Sequence, residues 1–110
     1  MKILIVEDEW LIAEDLKDRL VALGHEVIGP APDCSSALEV LFRTKPDFAI
    51  VDTMLGSETC VVVLDELRAQ NVPFIICSGH ATEVLPDYAR PFRHLSKPYT
   101  DEGITAALTR

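Results

Sequence analysis

The sequence predicts an α/β fold, a single domain over residues 1–110 built on one doubly wound sheet of parallel strands. Two observations carry this. Short apolar runs alternate with helical patterns along the chain, and strand-helix-strand units pair in parallel through right-handed crossovers with helices on both faces. The runs are also uniformly apolar instead of alternating, as strands covered on both faces must be. At 110 residues and 48% apolar, the chain has enough material for one core without disulfides or a metal as staples.

The strands are expected at "KILIV" (2–6), "EVIG" (26–29), "FAIV" (48–51), "FIIC" (74–77) and "HLS" (94–96). Between the first two, Ile12, Ala13, Leu16, Leu20 and Leu23 follow helical spacing, and Gly24 stands where a helix stops. A second helix begins near Asp33 as its N-cap, turns Ala37, Leu38 and Leu41 inward, and ends before "TKPD", where Pro46 forbids continuation. The third is expected from about Ser57 to Gln70, burying Cys60, Leu64 and Leu67, although its "VVV" (61–63) is β-branched. Pro86 and Pro91 leave "GHATEVLPDYARPFR" (79–93) room for at most one short helix. Ile104, Ala107 and Leu108 form the inner face of a last short helix. Trp10, at the start of the first helix, reads as a packing residue.

Charge and cysteines exclude whole classes. Ten Lys and Arg against 18 Asp and Glu leave a net charge of −8, which repels phosphodiester backbones and anionic lipid surfaces. Neither nucleic acid nor membrane is an expected partner. Cys34, Cys60 and Cys77 are odd in number, far apart and set among apolar residues, so they read as buried thiols of a reducing cytosol. No apolar run approaches a membrane span, and the acids after "MKILIV" do not suit a signal peptide; the expected location is cytoplasmic.

In open α/β sheets, sites lie outside the carboxyl ends of the strands. The first strand ends in Glu7 and Asp8, the third in Asp52, the fourth in Ser78 and the fifth in Lys97. Each has an ordinary reading alone: a charge cluster, a turn residue, a cap, a surface lysine. Together they place three acids, a hydroxyl and an ammonium on one edge. Like charges about 4 Å apart repel by about 4 kcal/mol at an effective dielectric near 20, so the acids call for a cation. Oxygen donors suit a hard divalent ion that keeps several waters, Mg²⁺ for preference, and such a centre accommodates an incoming phosphoryl group.

The acidic pair in "VEDE", the aspartate in "VDTML", the hydroxyl in "CSG" and the lysine in "SKPY", in that order, resemble the receiver domain of two-component response regulators over essentially the whole chain. The resemblance implies a flavodoxin-like (βα)5 sheet in strand order 2-1-3-4-5. It implies Asp52 as phosphoacceptor, taking a phosphoryl group from a sensor histidine kinase or a histidine phosphotransfer protein. Mg²⁺ would be held by Asp8, Asp52 and the main-chain carbonyl of Met54, with Glu7 acting through bound water. Lys97 would balance phosphoryl charge, and Ser78 would donate a hydrogen bond to a phosphoryl oxygen. "IICSGHA" is similar to the Phe-Ala-Thr-Gly-Tyr signature of single-domain receivers with a short fourth helix, keeping the glycine and replacing threonine by serine.

The chain departs from the family pattern in two places. "LGSETC" follows the acceptor without a proline, and His94 stands where many receivers carry an aromatic switch. His94 is a rotameric substitute, a proton-sensitive one or a surface residue. The expected function is a phosphorylation-controlled switch rather than an enzyme, signalling to an unknown downstream protein through 79–93, the fifth strand and the last helix. A phosphate sink without output is the bland alternative. A haloacid-dehalogenase-type phosphatase would need a second aspartate where Met54 stands, and a flavodoxin would need a phosphate-cradling loop where "EDEW" stands.

Overall fold

A computed structural model describes residues 1–52, 54–55, 58–59, 61–78, 93–96 and 99–108, with the backbone alone for 54, 55, 58, 59, 78 and 96. The elements in chain order are β1 (Lys2–Val6), α1 (Trp10–Ala22), β2 (Glu26–Ala31), α2 (Cys34–Arg43), β3 (Phe48–Asp52), β4 (Met54–Leu55), β5 (Glu58–Thr59), α3 (Val61–Ala69), β6 (Phe74–Ser78), β7 (His94–Ser96) and α4 (Asp101–Leu108). Five strands form one parallel sheet in the order β2-β1-β3-β6-β7, so the five expected strands pair in the order 2-1-3-4-5.

Period-2 geometry sorts the core into two layers. Leu4, Val6, Ala49, Val51 and Ile76 face α2 and α3; Ile3, Ile5, Phe48, Ile50, Ile75 and Cys77 face α1 and α4. Both faces are covered, which is the reason the strands carry no polar alternation. Arg19 on α1 reaches Asp15 and, at 3.0 Å, Asp101 at the start of α4, tying together the two helices of the second layer.

Local signals set the helix ends. After α1, Gly24 takes φ +94°, which lets its N–H reach Val21 O (3.0 Å) and the N–H of His25 reach Leu20 O (3.0 Å), closing the last turn. Asp33 caps α2 by accepting the Ser36 N–H at 2.7 Å. That hydrogen bond to the carboxylate holds Asp33 below its ordinary pKa of 3.8. The cap therefore contributes stability above the unfolded pKa and loses it as pH falls through the lower folded value. Asp33→Ala should lower Tm at neutral pH, and melts repeated below about pH 4, the unfolded carboxylate range, should show the difference shrinking. A difference that grows in acid would refute this role.

Several expectations change. β2 runs two residues further than expected, through Gly29 and Pro30 to Ala31. Gly29 sits at φ +96°, and a Cβ there would lie 2.8 Å from Ala31 N, so only glycine fits the turn of the chain at that point. The helix expected from about Ser57 starts at Val61, because β4 and β5 pair as a short antiparallel hairpin, Met54 opposite Thr59 and Leu55 opposite Glu58. α3 buries Val63, Leu64 and Leu67, whereas Cys60 lies outside the described residues. Leu23 is 39% exposed although its spacing put it on the inner stripe, since Gly24 turns the chain away there; Leu38 is only half-buried. Trp10 is 69% exposed and is not a packing residue; it lines a cavity beside Glu7 and Asp8 instead of entering the core. Cys34 and Cys77 are buried thiols. The short helix considered for 79–93 falls on residues outside the description, Arg93 excepted.

Candidate functional site

β1 and β3 are neighbours at the middle of the sheet, and Val6 pairs with Val51. One step on, Glu7 and Asp52 fall side by side. Glu7 keeps the ladder going by donating its N–H to Ala31 O (3.0 Å) on the opposite strand β2. Asp52 pairs in turn with Cys77 on β6, and Cys77 with Leu95 on β7. Glu7, Asp52, Cys77 and Leu95 thus form one row on the α1/α4 face, where the apolar layer reaches the carboxyl edge.

The predicted acids converge. One carboxylate oxygen from each of Glu7, Asp8 and Asp52 lies within 4.8 Å of the others. Glu7 and Asp52 are buried, at 2% and 8% exposure, while Asp8 is exposed. The Glu9 N–H donates to Glu7 Oε2 at 3.2 Å, which orients that carboxylate. A cavity of about 230 Å³ opens beside the acids between the start of α1 and the end of β2, lined by Glu7, Asp8, Trp10, Glu14, Pro30 and Pro32 among others. Trp10 in its lining is 69% exposed, and Leu11, the next residue of α1, is 74% exposed.

The other predicted residues are placed less fully. Ser78 closes β6 opposite Ser96, and Met54 opens β4 two residues after Asp52; their backbones are described. Lys97 lies outside the described residues. His94 is exposed on β7, paired with Ile76, which fits the surface reading among its three. Tyr99 was not singled out from sequence, yet it packs under the row at 4% exposure. Burial, with Cys77, Glu7 and Asp52 close by, pushes its phenol well above the ordinary range. The available signal was its place two residues after Lys97, which reads as one more apolar position.

The sequence profile described as the response regulator receiver domain matches residues 3–109 of this chain. The chain belongs to that family. The receiver is 28% identical to the transcriptional regulatory protein PdtaR of Mycobacterium tuberculosis over 97% of its own length and 54% of PdtaR's. It is 32% identical to the phyllosphere-induced regulator PhyR of Methylorubrum extorquens over 99% of its own length and 42% of PhyR's. It therefore spans about half the length of these relatives. The solution structure of SdrG from Sphingomonas melonis Fr1 superposes with a TM-score of 0.87 at 35% identity, covering 98% of this chain and 92% of SdrG. The BeF3-activated conformation of SdrG from Pseudomonas melonis Fr1 gives a TM-score of 0.83 at the same identity, covering 97% and 92%. Both share the receiver fold, which this chain shows as five parallel strands in the order 2-1-3-4-5. Among the described residues, no helix is long and apolar enough to cross a membrane.

Proposed function

We propose that this receiver is a phosphoryl-accepting switch of a two-component system, with Asp52 as the acceptor. The observation that carries the reading is the convergence of Glu7, Asp8 and Asp52 at the carboxyl edge of the two central strands. A carboxylate oxygen of Asp52 attacks the phosphorus of a phosphohistidine on a sensor histidine kinase or histidine phosphotransfer protein. The new O–P bond forms as the N–P bond breaks, and the imidazole leaves with the electron pair and takes up a proton. Burial of Asp52 limits the water that competes as nucleophile and that hydrolyses the acyl phosphate.

The donor set fits a hard divalent cation: carboxylates alone, gathered within 4.8 Å, one of them open to solvent so that retained waters have room. Asp8, Asp52 and the Met54 carbonyl would hold Mg²⁺, with Glu7 acting through bound water. The ion supplies charge neutralisation for the transferring oxygens. Ser78 and Lys97 complete the reading by family resemblance, the hydroxyl donating to one phosphoryl oxygen and the ammonium to another. Trp10, exposed beside Glu7 and Asp8, suits a protein donor that must cover this edge to bring its histidine to Asp52. Output passes by contact with a downstream protein, consistent with a net charge of −8 that disfavours nucleic acid. A position two residues after Asp52 occupied by Met54 leaves a hydrolase of the haloacid-dehalogenase type without its acid/base.

Thermal melts test the metal centre. Mg²⁺ should raise Tm, and the shift should grow with the logarithm of its concentration above Kd, as binding to the folded state alone requires. Asp8→Ala should abolish most of that shift. An unchanged Tm in the wild type, or an equal shift in the variant, rejects the site.

A further inference from the structure

The chain that leaves Asp52 does not run straight into α3. β4 and β5 pair as a two-stranded antiparallel sheet of their own, with Met54 opposite Thr59 and Leu55 opposite Glu58. Antiparallel pairs alternate between those that exchange both backbone hydrogen bonds and those that exchange none. Only Gly56 and Ser57 separate Leu55 from Glu58, and the pair flanking a two-residue connection is the bonded one. Leu55 and Glu58 therefore hold the hairpin together, while Met54 and Thr59 form the open pair. No proline occurs from 54 to 59, so both bonded residues have the N–H that the ladder needs.

This register fixes the direction of one carbonyl. The Met54 C=O and the Leu55 N–H belong to a single planar trans peptide, in which they point in opposite directions. With the Leu55 N–H turned onto Glu58, the Met54 carbonyl faces away from β5 and takes no part in the hairpin's hydrogen bonds. It stands two residues after Asp52, on the segment that leaves the cluster of Glu7, Asp8 and Asp52. The hairpin lies outside the five-stranded sheet, whose strand order does not depend on it. An oxygen donor whose plane is set before an ion arrives loses less freedom on binding than one on an unpaired loop.

We propose that the β4–β5 hairpin is a positioning element of the cation site, its Leu55–Glu58 pairing setting the peptide that presents the Met54 carbonyl to Mg²⁺. This rests on the receiver reading, in which that carbonyl is a ligand, and adds to it the element that orients the ligand. Groups that orient a metal ligand are typically worth about 10-fold or more in affinity. Such coupling is reciprocal: where pairing favours the ion, the ion favours pairing by the same factor. The Leu55 N–H, inside the ladder, reports it.

The test sets two prolines against each other. Glu58→Pro removes an N–H from the bonded pair and leaves the Met54–Leu55 peptide chemically intact, whereas Thr59→Pro makes the same change one residue on, at the open pair. Both should keep the five-stranded sheet and melt cooperatively without Mg²⁺. Affinity is read from the Mg²⁺-dependent rise in Tm and from the fluorescence of Trp10, the single tryptophan, which lines the cavity beside Glu7 and Asp8. Glu58→Pro should bind Mg²⁺ about 10-fold more weakly, and Thr59→Pro should bind it as the wild type does. In the wild type, a measurement that needs no variant, saturating Mg²⁺ should slow hydrogen exchange of the Leu55 amide by a similar factor. Equal affinity in Glu58→Pro and wild type, or equal losses in the two variants, would overturn the inference while leaving the receiver reading intact, as would a Leu55 amide indifferent to bound Mg²⁺. A wild type that does not bind Mg²⁺ overturns the inference together with the metal-centre reading on which it rests.

Discussion

Asp52→Ala should take up no phosphoryl group from acetyl phosphate in Mg²⁺, whereas the wild type should gain the mass of one. The nucleophile is one carboxylate oxygen, and alanine offers none, so the effect is a loss of the reaction and not a slower rate. The fold should survive. Asp52 is the last residue of β3, its backbone stays in the ladder opposite Cys77, and removing one of three carboxylates clustered within 4.8 Å relieves repulsion. A metal-free Tm equal to or above the wild-type value is therefore expected alongside the lost chemistry, and intact-mass measurement together with a melt reads both. Phosphorylation of the variant would move the acceptor to another acid, Glu7 or Asp8 first.

Ile50→Ala should destabilise the domain by roughly 2–5 kcal/mol, a large share of the roughly 5–15 kcal/mol that holds a domain of this kind. Ile50 is fully buried at the centre of β3, paired with Ile5 on one side and Ile75 on the other. Its face packs against the helices of the second layer, which cannot collapse independently into the space that truncation leaves. Ile50→Val removes a single methylene and should cost only about 0.5–1.5 kcal/mol. Urea unfolding should show the midpoint falling in that order with the slope unchanged. Below its melting temperature Ile50→Ala should still phosphorylate, because Asp52 lies two residues on with its ladder bonds intact. A cost under about 1 kcal/mol for alanine would contradict the packing of the central strand.

These two residues are two positions apart and differ in how visible they were. The apolar runs, Gly24, Asp33 and Pro46 are signals whose consequences are local: a strand hidden on both faces, a left-handed residue, a carboxylate over an N-terminus, a missing N–H. The structure agrees with them to within two residues, β2 showing the largest difference. Errors arose where a neighbour decides. The stretch after Asp52 reads as the start of a helix because Cys60, Leu64 and Leu67 follow at helical spacing, and the pairing of Met54 with Thr59 is not a periodic signal. Trp10 and Leu23 have the chemistry of core residues, but at the two ends of α1 they stand 69% and 39% exposed.

What the sequence by itself determined is the kind of strand each run forms and the presence of an acid, a hydroxyl or a lysine at the ends of four of the five strands. The adjacency of β1 and β3 entered through family resemblance, and the sheet bears it out. Only the tertiary structure decided that oxygens of Glu7, Asp8 and Asp52 lie within 4.8 Å and that Tyr99 packs in the same core layer as Cys77 and Leu95. The reason is physical: alternation along a chain sets which face a side chain takes, while the distance between two strand ends depends on strand order and register, and these are set by the packing of the whole sheet.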